Sequence, residues 1–250
     1  MRLLGLIGLG CAGLVLASAC TNSTPTPAPA PPVAQTTPAG TAAAPVFEPG
    51  NFVTVVDNPF FPLKPGTVWV YEGIRDEQTQ RDEVAVTNRT KVVDGVTAVV
   101  VTDVATHAGE LLEKTEDWYA QDKQGNVWYL GEDTASYSNG KVESREGSWT
   151  AGVDGAVPGI IMPAHPGVPF AFRQEYLRDH AEDTSWVVDE AQTVKVPYGT
   201  LTGAIRTLEF SRLEPEVVDT KYYAPGIGIV REVSLSGPKE NADLVSFKQG

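Results

Sequence analysis

Sulfur-containing and imidazole side chains are scarce in this sequence, which has two cysteines, two methionines and three histidines among 250 residues. So few thiols exclude a disulfide framework. The cysteines and the scattered histidines do not have the spacing of a zinc site. The signatures of metalloproteases, serine hydrolases, P-loop proteins and dinucleotide-binding folds are also missing. We therefore expect a protein that is not an enzyme, and we assign no metal site, no cofactor and no catalytic residue.

Positive charge is also in short supply, because 19 Lys and Arg stand against 32 Asp and Glu, which gives a net charge of −13. A surface with this balance repels phosphate backbones and anionic lipid headgroups. We therefore do not expect nucleic acid as a partner. Attachment to a membrane would need something other than basic patches.

Residues 1–19 have the three-part pattern of a secretory signal peptide. Arg2 supplies the positive charge, Leu3–Leu16 form an apolar run, and Ala17-Ser18-Ala19 make a cleavage site of small residues. The apolar run is shorter than the ~20 residues that a membrane-spanning helix needs. The pattern therefore predicts export followed by removal of the leader.

Cys20 would then be the first residue of the mature chain and its only thiol. The segment Leu16-Ala17-Ser18-Ala19-Cys20 resembles the lipobox of bacterial lipoproteins, although Ala17 stands where leucine is usual. This resemblance implies a lipid on Cys20 and a location at the cell membrane or the outer membrane, with the domain facing the periplasm or the exterior. Two alternatives remain open, namely ordinary cleavage that leaves a free cysteine and an uncleaved anchor helix.

Residues 20–46 predict a lipid-anchored, disordered linker, because residues 21–46 consist almost entirely of Thr, Pro and Ala without charge or apolar periodicity. Such a composition cannot bury enough apolar surface to fold. Prolines favour an extended chain at ~3.1 Å per residue, so this segment could reach roughly 80 Å. The linker therefore predicts a spacer between the membrane and a single β-rich domain at residues 47–250.

Period-two alternation of apolar residues dominates from Val68 onward and indicates β-strands. Asp94-Gly95 and Asn139-Gly140 are strong hairpin signals. No amphipathic helix longer than two turns is evident, and Asp183–Ala191 is the only ambiguous stretch. About twelve antiparallel strands with short turns must curl or close. We therefore predict a mainly β fold, either a strongly curved antiparallel meander sheet or an open barrel, with a β-sandwich as the alternative.

Three segments resemble a family of bacterial envelope lipoproteins: Asn58–Thr67 (NPFFPLKPGT), Val196–Leu201 (VPYGTL) and Tyr222–Val230 (YYAPGIGIV). Sheets of this kind resemble the half-barrel of the lipoprotein carrier LolA and of similar periplasmic binding proteins. The resemblance implies a fold and gives only a hint of function, because one fold hosts many functions.

The stretch Ala151–Pro169 has a Gly and Pro content that argues against a regular β-ladder, and we predict a long apolar loop there. We expect this loop to cover a ligand pocket on the curved sheet. Aromatic tips suit amphipathic ligands, and His165 lies within the loop sequence. The predicted ligand-binding residues are Trp118, Trp128, Tyr129, Trp149, Met162 and His165.

Carboxylates are also frequent on one predicted strand, where alternation places Glu113, Thr115 and Asp117 on one face and Glu116 on the other. A glycosidase needs two carboxylates at a defined separation, which the sequence does not establish.

Three functional hypotheses follow. The first is a non-catalytic binding or carrier lipoprotein for an apolar or amphipathic small molecule, with a contiguous apolar cavity and few ionisable groups. The second is a structural or assembly component of the envelope, with a filled core. The third is an envelope hydrolase in which His165 meets a carboxylate and a hydroxyl.

Overall fold

A computed structural model describes residues 45–75 and 77–250 of the chain. The predicted signal peptide, Cys20 and the linker up to residue 44 lie outside the described residues. Within the described ranges no helix has the length and apolarity of a membrane span.

The described chain begins with a short 3₁₀ turn at Pro49–Asn51 and continues almost entirely as β-strands. In chain order the strands are β1 Phe52–Val53, β2 Val68–Arg75, β3 Gln78–Val93, β4 Val96–His107, β5 Glu110–Asp122, β6 Val127–Ser138, β7 Lys141–Ser144, β8 Trp149–Thr150, β9 Val157–Met162, β10 Phe170–Arg173, β11 Glu175–Tyr176, β12 Asp183–Val196, β13 Gly199–Ser211, β14 Glu214–Ala224, β15 Gly228–Ser236 and β16 Asn241–Lys248.

The long strands follow one another as antiparallel neighbours, from β2 to β6 and from β12 to β16. Strand β16 pairs with β2, so the last strand of the chain lies beside the first long one. The prediction of an antiparallel meander is therefore confirmed.

The strands at the two ends of the sheet order, β10 and β11, are neighbours in the chain. Strand β10 pairs with β12, whereas β11, which follows after a single residue, pairs with β9. Strand β9 in turn pairs with β6. The sheet is thus a nearly closed antiparallel barrel, as the mainly β prediction expects, and the sandwich alternative is not the architecture found.

Both hairpin signals are found where the sequence places them. Asp94-Gly95 joins β3 to β4 with φ angles of 46° and 80°, and Asn139-Gly140 joins β6 to β7 with φ angles of 51° and 71°. Positive φ at both central residues is the requirement of a type I′ turn, and its twist matches that of the flanking strands.

The prediction of a long irregular loop at Ala151–Pro169 is wrong, because β9 forms part of the barrel wall in its middle. Gly159 lies so close to the turn between β10 and β11 that an added Cβ would overlap the carbonyl oxygens of Arg173 and Gln174. Next to this contact, Pro158 of β9 pairs with Glu175 of β11. The Gly and Pro content therefore permits a tight junction here instead of preventing a strand.

The ambiguous stretch Asp183–Ala191 is also strand. It belongs to β12, which runs through Val196 with register shifts between Val187 and Gln192. Ala191 has a φ of 56° within these shifts. The local irregularity explains why the sequence pattern breaks there without ending the strand.

One end of the barrel is covered by residues Val56–Leu63, which we call the cap. Val56, Phe61 and Leu63 of the cap are buried. The Asn58 side-chain amide donates hydrogen bonds to the carbonyls of Gly125 (2.9 Å) and Pro163 (3.0 Å). The Gly226 amide donates to the carbonyl of Pro59 (2.7 Å). The cap is therefore fastened to the β5–β6 and β14–β15 turns at the same end.

Candidate functional site

A small cleft lies beneath the cap, with about 40 Å³ of free volume. A water molecule needs roughly 10–15 Å³ on this measure, so the cleft has room for about three. The cap, strands β2 to β5 and the β14–β15 turn all contribute to it. Its lining residues are Phe61, Pro62, Leu63, Trp69, Tyr71, Val84, Val101, Tyr119, Ile227, Gly228 and Ile229.

Two aromatic side chains of β2 are fixed in the cleft wall by hydrogen bonds to the β14–β15 region. The Trp69 indole N–H donates to the carbonyl of Ile227 (2.8 Å), and the Tyr71 hydroxyl donates to the carbonyl of Ile229 (2.9 Å). Both polar tips are satisfied in this way, so the rings present their apolar surface to the cleft.

Carboxylates lie directly beside the inner wall of the cleft. Tyr71 lies opposite Asp82 in the β2–β3 register. Val84 lies opposite Asp103, and Val101 lies opposite Asp117, in the next two strand pairs. Residues directly opposite one another have their Cβ atoms about 4.5–5.5 Å apart on the same face. The apolar cleft and the acidic surface beside it therefore form one continuous site.

The barrel interior beyond the cleft is acidic. In the described part of the chain, six carboxylates are buried there, two are half-buried, and only two cations accompany them. The carboxylates are Asp82, Asp103, Asp117, Glu175, Glu209 and Glu232, with Glu113 and Glu132 half-buried, and the cations are Arg75 and Lys221. The expectation of an interior with few ionisable groups is therefore wrong.

Lys221 compensates one part of this negative charge. Its Nζ donates a 2.6 Å hydrogen bond to Glu209 and lies 3.7 Å from Glu232. The Tyr223 hydroxyl donates to the same Glu209 carboxylate (3.1 Å). Burial lowers the pKa of Lys221, but the neighbouring carboxylates outweigh this effect and raise its pKa overall, so the lysine stays charged.

Among the residues that the structure describes, no lysine accompanies the carboxylates next to the cleft in the way that Lys221 accompanies Glu209. Burial raises the pKa of Asp82 to about 6, against the opposing effects of a hydrogen bond from Gln80 and the charge of Arg75. Burial also raises the pKa of Asp103, and the negative charges of Asp82 and Asp117 add to the shift. Ionising these groups together is therefore costly.

A second acidic pair lies on β5 and β6, where Asp117 stands directly opposite Glu132. Burial raises the pKa of Asp117 to about 6, and the hydrogen bond from the Tyr129 hydroxyl (2.8 Å) opposes that rise. Burial raises the pKa of Glu132 as well, with the charges of Asp117 and Glu175 adding to it. Like charges directly opposite in a sheet destabilise it.

Several acceptor atoms in the described interior have no hydrogen-bond partner. They include Asp103 Oδ1, Gln80 Oε1, Glu175 Oε2 and Glu232 Oε2. Asp103 is only 8% exposed and lies next to the cleft. Buried acceptors of this kind usually have a donor, so the site favours a ligand that brings hydrogen-bond donors and positive charge.

Metal binding has less support than an organic ligand. Among the residues that the structure describes, no group of three or more His, Cys, Asp or Glu side chains has the arrangement of a metal site. The carboxylates are spread along different strands, whereas a hard cation such as Ca²⁺ needs six to eight oxygens converging at about 2.3–2.6 Å.

The structure brings together two of the predicted ligand-binding residues. Tyr129 and Trp149 make an edge-to-face contact with ring centroids 5.2 Å apart, and Tyr129 stacks on Tyr119 at 5.0 Å. Tyr119 lines the cleft, so this aromatic row joins the cleft to the Asp117 region. Whether these residues contact a ligand stays a prediction.

Trp118 and Trp128 lie apart from this row. The ammonium of Lys91 sits 3.1 Å from the centre of the Trp118 ring. Trp128 packs against Phe47 and Phe52, and its indole N–H donates to Asp122 (2.9 Å). Both indoles are buried in contacts of their own, and neither lines the cleft.

Met162 and His165 differ in their exposure to solvent. Met162 is fully buried opposite Val127, whereas His165 is exposed. In the described part of the chain, His165 makes no hydrogen bond or ion pair. The convergence with a carboxylate and a hydroxyl that the hydrolase hypothesis expects is therefore not observed.

The site residues predicted from the sequence did not include the carboxylates that face the barrel interior. Strand alternation correctly places Glu113, Thr115 and Asp117 on one face, and Thr115 bonds Thr134 across the strands (2.7 Å). Glu116, on the other face, pairs with Arg89 at 2.9 Å near the surface. Strand alternation could have revealed the inward carboxylates, because the same rule applied to β3 and β4 places Asp82 and Asp103 on the inward face.

Comparisons with known proteins give few matches. No family model matches the chain, and no curated protein sequence matches it. Among solved structures, an exported protein with a YmcC-like fold from Bacteroides fragilis is 15% identical with a TM-score of 0.45, over 80% of this chain and 100% of that one. A lipoprotein from Parabacteroides distasonis is also 15% identical, with a TM-score of 0.39, over 79% of this chain and 99% of that one. Likenesses at these TM-scores do not indicate a function.

Proposed function

We propose that this protein is a lipid-anchored component of the bacterial cell envelope, and that its β-barrel is a non-catalytic binding or carrier domain for a small amphipathic molecule. The observation that carries the binding role is the cleft beneath the cap. Its walls are aromatic and aliphatic, and its inner side borders carboxylates, of which Asp103 has an unpartnered oxygen. Concave apolar sites with a few polar groups are the usual form of small-molecule sites.

The anchoring part of the proposal rests on the sequence. The leader, the lipobox-like segment and Cys20 supply the lipid signal. Each buried CH₂ of an acyl chain contributes about 0.8 kcal/mol, so two or three chains would hold the protein at a membrane. The Pro-rich linker would then allow the barrel to work at a distance from the lipid surface.

A non-catalytic role is favoured because the described residues around the cleft show no nucleophile–base arrangement. Hydrolytic chemistry needs a nucleophile within hydrogen-bond reach of a base. The residues that line the cleft are apolar or aromatic, and the tyrosine of β2 already donates its hydroxyl proton to a carbonyl. Binding therefore accounts for the cleft more simply than catalysis.

The binding role can be tested by asking what copurifies with the protein. We expect native mass spectrometry of a Cys20→Ser chain, purified without detergent, to show a small organic molecule at near-equal stoichiometry. Val84→Phe should fill the cleft and remove that molecule, whereas Val92→Phe should not, because Val92 lies on the same strand but is 70% exposed. A ligand-free wild-type chain would contradict the proposal and favour the assembly alternative.

The anchor can be tested independently of the ligand. We expect the wild-type chain to incorporate radiolabelled palmitate and to fractionate with membranes, and Cys20→Ser to lose both properties. A Cys11→Ser chain is the matched control, since Cys11 would leave with the leader. Unchanged fractionation of the Cys20→Ser chain would contradict lipid anchoring.

A further inference from the structure

The chemistry of the cleft narrows the class of ligand. On its outer side the cap contributes Phe61 and Leu63, which offer only apolar surface. On its inner side the sheet register places Asp82, Asp103 and Asp117 next to the lining residues Tyr71, Val84 and Val101 respectively. A ligand that fits both sides has an apolar part and a positively charged part.

Asp103 provides the observation that points to a bound donor. It is 8% exposed, and its Oδ1 has no hydrogen-bond partner. Glu232 Oε2 is unpartnered as well, and the pKa of Tyr71 is raised by burial and then by the charges of Asp103 and Glu232. Both carboxylates therefore lie close to Tyr71, which is part of the cleft wall.

Other ligand classes fit these observations less well. An anion would be repelled by the three aspartates. A neutral apolar molecule would leave the buried Asp103 oxygen unsatisfied, which costs free energy. A bare metal ion would find no converging set of ligands among the described residues. An organic ammonium group supplies both N–H donors and positive charge, and its charge is also attracted to aromatic ring faces such as those of Trp69 and Tyr71.

We propose that the cleft binds a small organic ammonium compound, whose alkyl part contacts Tyr71, Val84 and Val101 and whose N–H groups donate to Asp103 and Asp82. This inference rests on the proposed binding function and assigns its ligand class. The free volume of about 40 Å³ limits the alkyl part to a few carbon atoms while the cap is in place.

The test compares three probes that share an alkyl group and differ in charge. Here n-propylammonium, 1-propanol and propionate are titrated into the Cys20→Ser chain at pH 8 and constant ionic strength. The readout is the NMR signal of the Trp69 indole N–H, which is assigned with Trp69→Phe. We expect propylammonium to bind about tenfold or more tightly than propanol, because hydrogen bonds to charged groups are the strong ones. Propionate should bind most weakly.

Two variants separate a specific site from general attraction to an acidic protein. Asp103→Asn should remove most of the advantage that propylammonium has over propanol. Glu83→Gln is the matched control, because Glu83 is exposed on the neighbouring strand and carries the same charge. It should behave as wild type.

The outcomes distinguish this inference from the proposed function. Equal binding of propanol and propylammonium, or a propylammonium advantage that survives Asp103→Asn, overturns the ammonium assignment and leaves a binding cleft. If none of the three probes moves the Trp69 signal and no ligand copurifies, the cleft is not a binding site and both proposals fall.

Discussion

At the residue scale, the inner carboxylates differ from one another mainly in whether a cation accompanies them. Glu209 and Glu232 share Lys221 at 2.6 and 3.7 Å. Among the described residues, Asp117 bonds the neutral hydroxyl groups of Tyr129 and Tyr119 and faces Glu132. Removing the Asp117 charge should therefore stabilise the protein, whereas removing the Lys221 charge should destabilise it. Two substitutions test these effects.

We expect Asp117→Asn to stabilise the protein at pH 8 and to have little effect at pH 3, where Asp117 is protonated in both the folded and the unfolded chain. The amide oxygen can still accept the Tyr129 hydrogen bond, while the cost of burying a charge disappears. A shift from an ordinary pKa near 3.9 to about 6 corresponds to ~3 kcal/mol at high pH. Urea denaturation at the two pH values measures this difference, with Glu83→Gln as the surface control. Destabilisation at pH 8 by Asp117→Asn would contradict the description of an uncompensated charge.

Lys221→Met should have the opposite effect. It leaves the Glu209 and Glu232 carboxylates buried without their cation, and breaking a buried pair in this way costs about 3–5 kcal/mol. Urea denaturation at pH 8 should show this loss. Lys248→Met, at an exposed position on β16, should change little. Adding Glu209→Gln and Glu232→Gln to the Lys221→Met chain should recover part of the stability, and failure to do so would show that packing dominates.

At the scale of elements, closure of the barrel depends on the stretch from β10 to β11. This stretch pairs with β12 through its first part and with β9 through its second part. The Gln174 amide between them donates to the carbonyl of Asp183 (2.8 Å). The close approach of Gly159 allows β9 to reach this junction.

We expect Gly159→Ala to open the junction, because the added methyl group would overlap backbone atoms that cannot move away independently. Overpacking of this kind typically costs about 1–3 kcal/mol. Hydrogen exchange should speed up first in β10 and β11. Gly50→Ala is the control, since a Cβ there meets no atom within 4 Å. Unchanged exchange in β10 and β11 would show that closure does not depend on this contact.

The junction also marks the limit of what the sequence could predict. The meander and the hairpins at Asp94-Gly95 and Asn139-Gly140 depend on local rules, namely strand alternation and turn chemistry, and these are readable. Closure depends on β9 meeting a strand that begins after residue 169, and local Gly and Pro content pointed to a loop instead. The choice of site residues failed for a related reason. Aromatic residues were conspicuous, whereas the acidic interior appears only when the faces of separate strands are brought together.

At the scale of the whole molecule, the acidic interior determines how stability depends on pH. Burial raises the folded-state pKa of Asp82 and Asp117 to about 6 and that of Glu175 and Glu232 to about 7. The same groups ionise near 4 in an unfolded chain. Between these values the folded protein holds more protons than the unfolded chain, so stability falls as pH rises.

A smaller effect of opposite sign acts at low pH. The pKa of Glu182 is lowered to about 2 by its hydrogen bonds with Arg212 and the Asp179 amide. Its contribution is therefore present above pH 4 and lost as pH falls toward 2. Because the Arg212 side chain is 63% exposed, solvent screening keeps this ion pair weak. The balance places the stability maximum on the acidic side of neutrality.

We therefore expect the free energy of unfolding to be highest near pH 4 and to fall by several kcal/mol toward pH 8, as these four carboxylates ionise. Urea denaturation of the Cys20→Ser chain at steps of one pH unit measures this profile. A double variant with Asp82→Asn and Asp117→Asn should lose less stability between these pH values. A control with Glu83→Gln and Asp154→Asn, two exposed positions, should lose as much stability as the unsubstituted interior does. Stability that rises from pH 5 to pH 8 would mean that the interior carboxylates are ionised and compensated in the folded protein. The acidic side of the cleft would then have its positive charge already and would have no need of a cationic ligand.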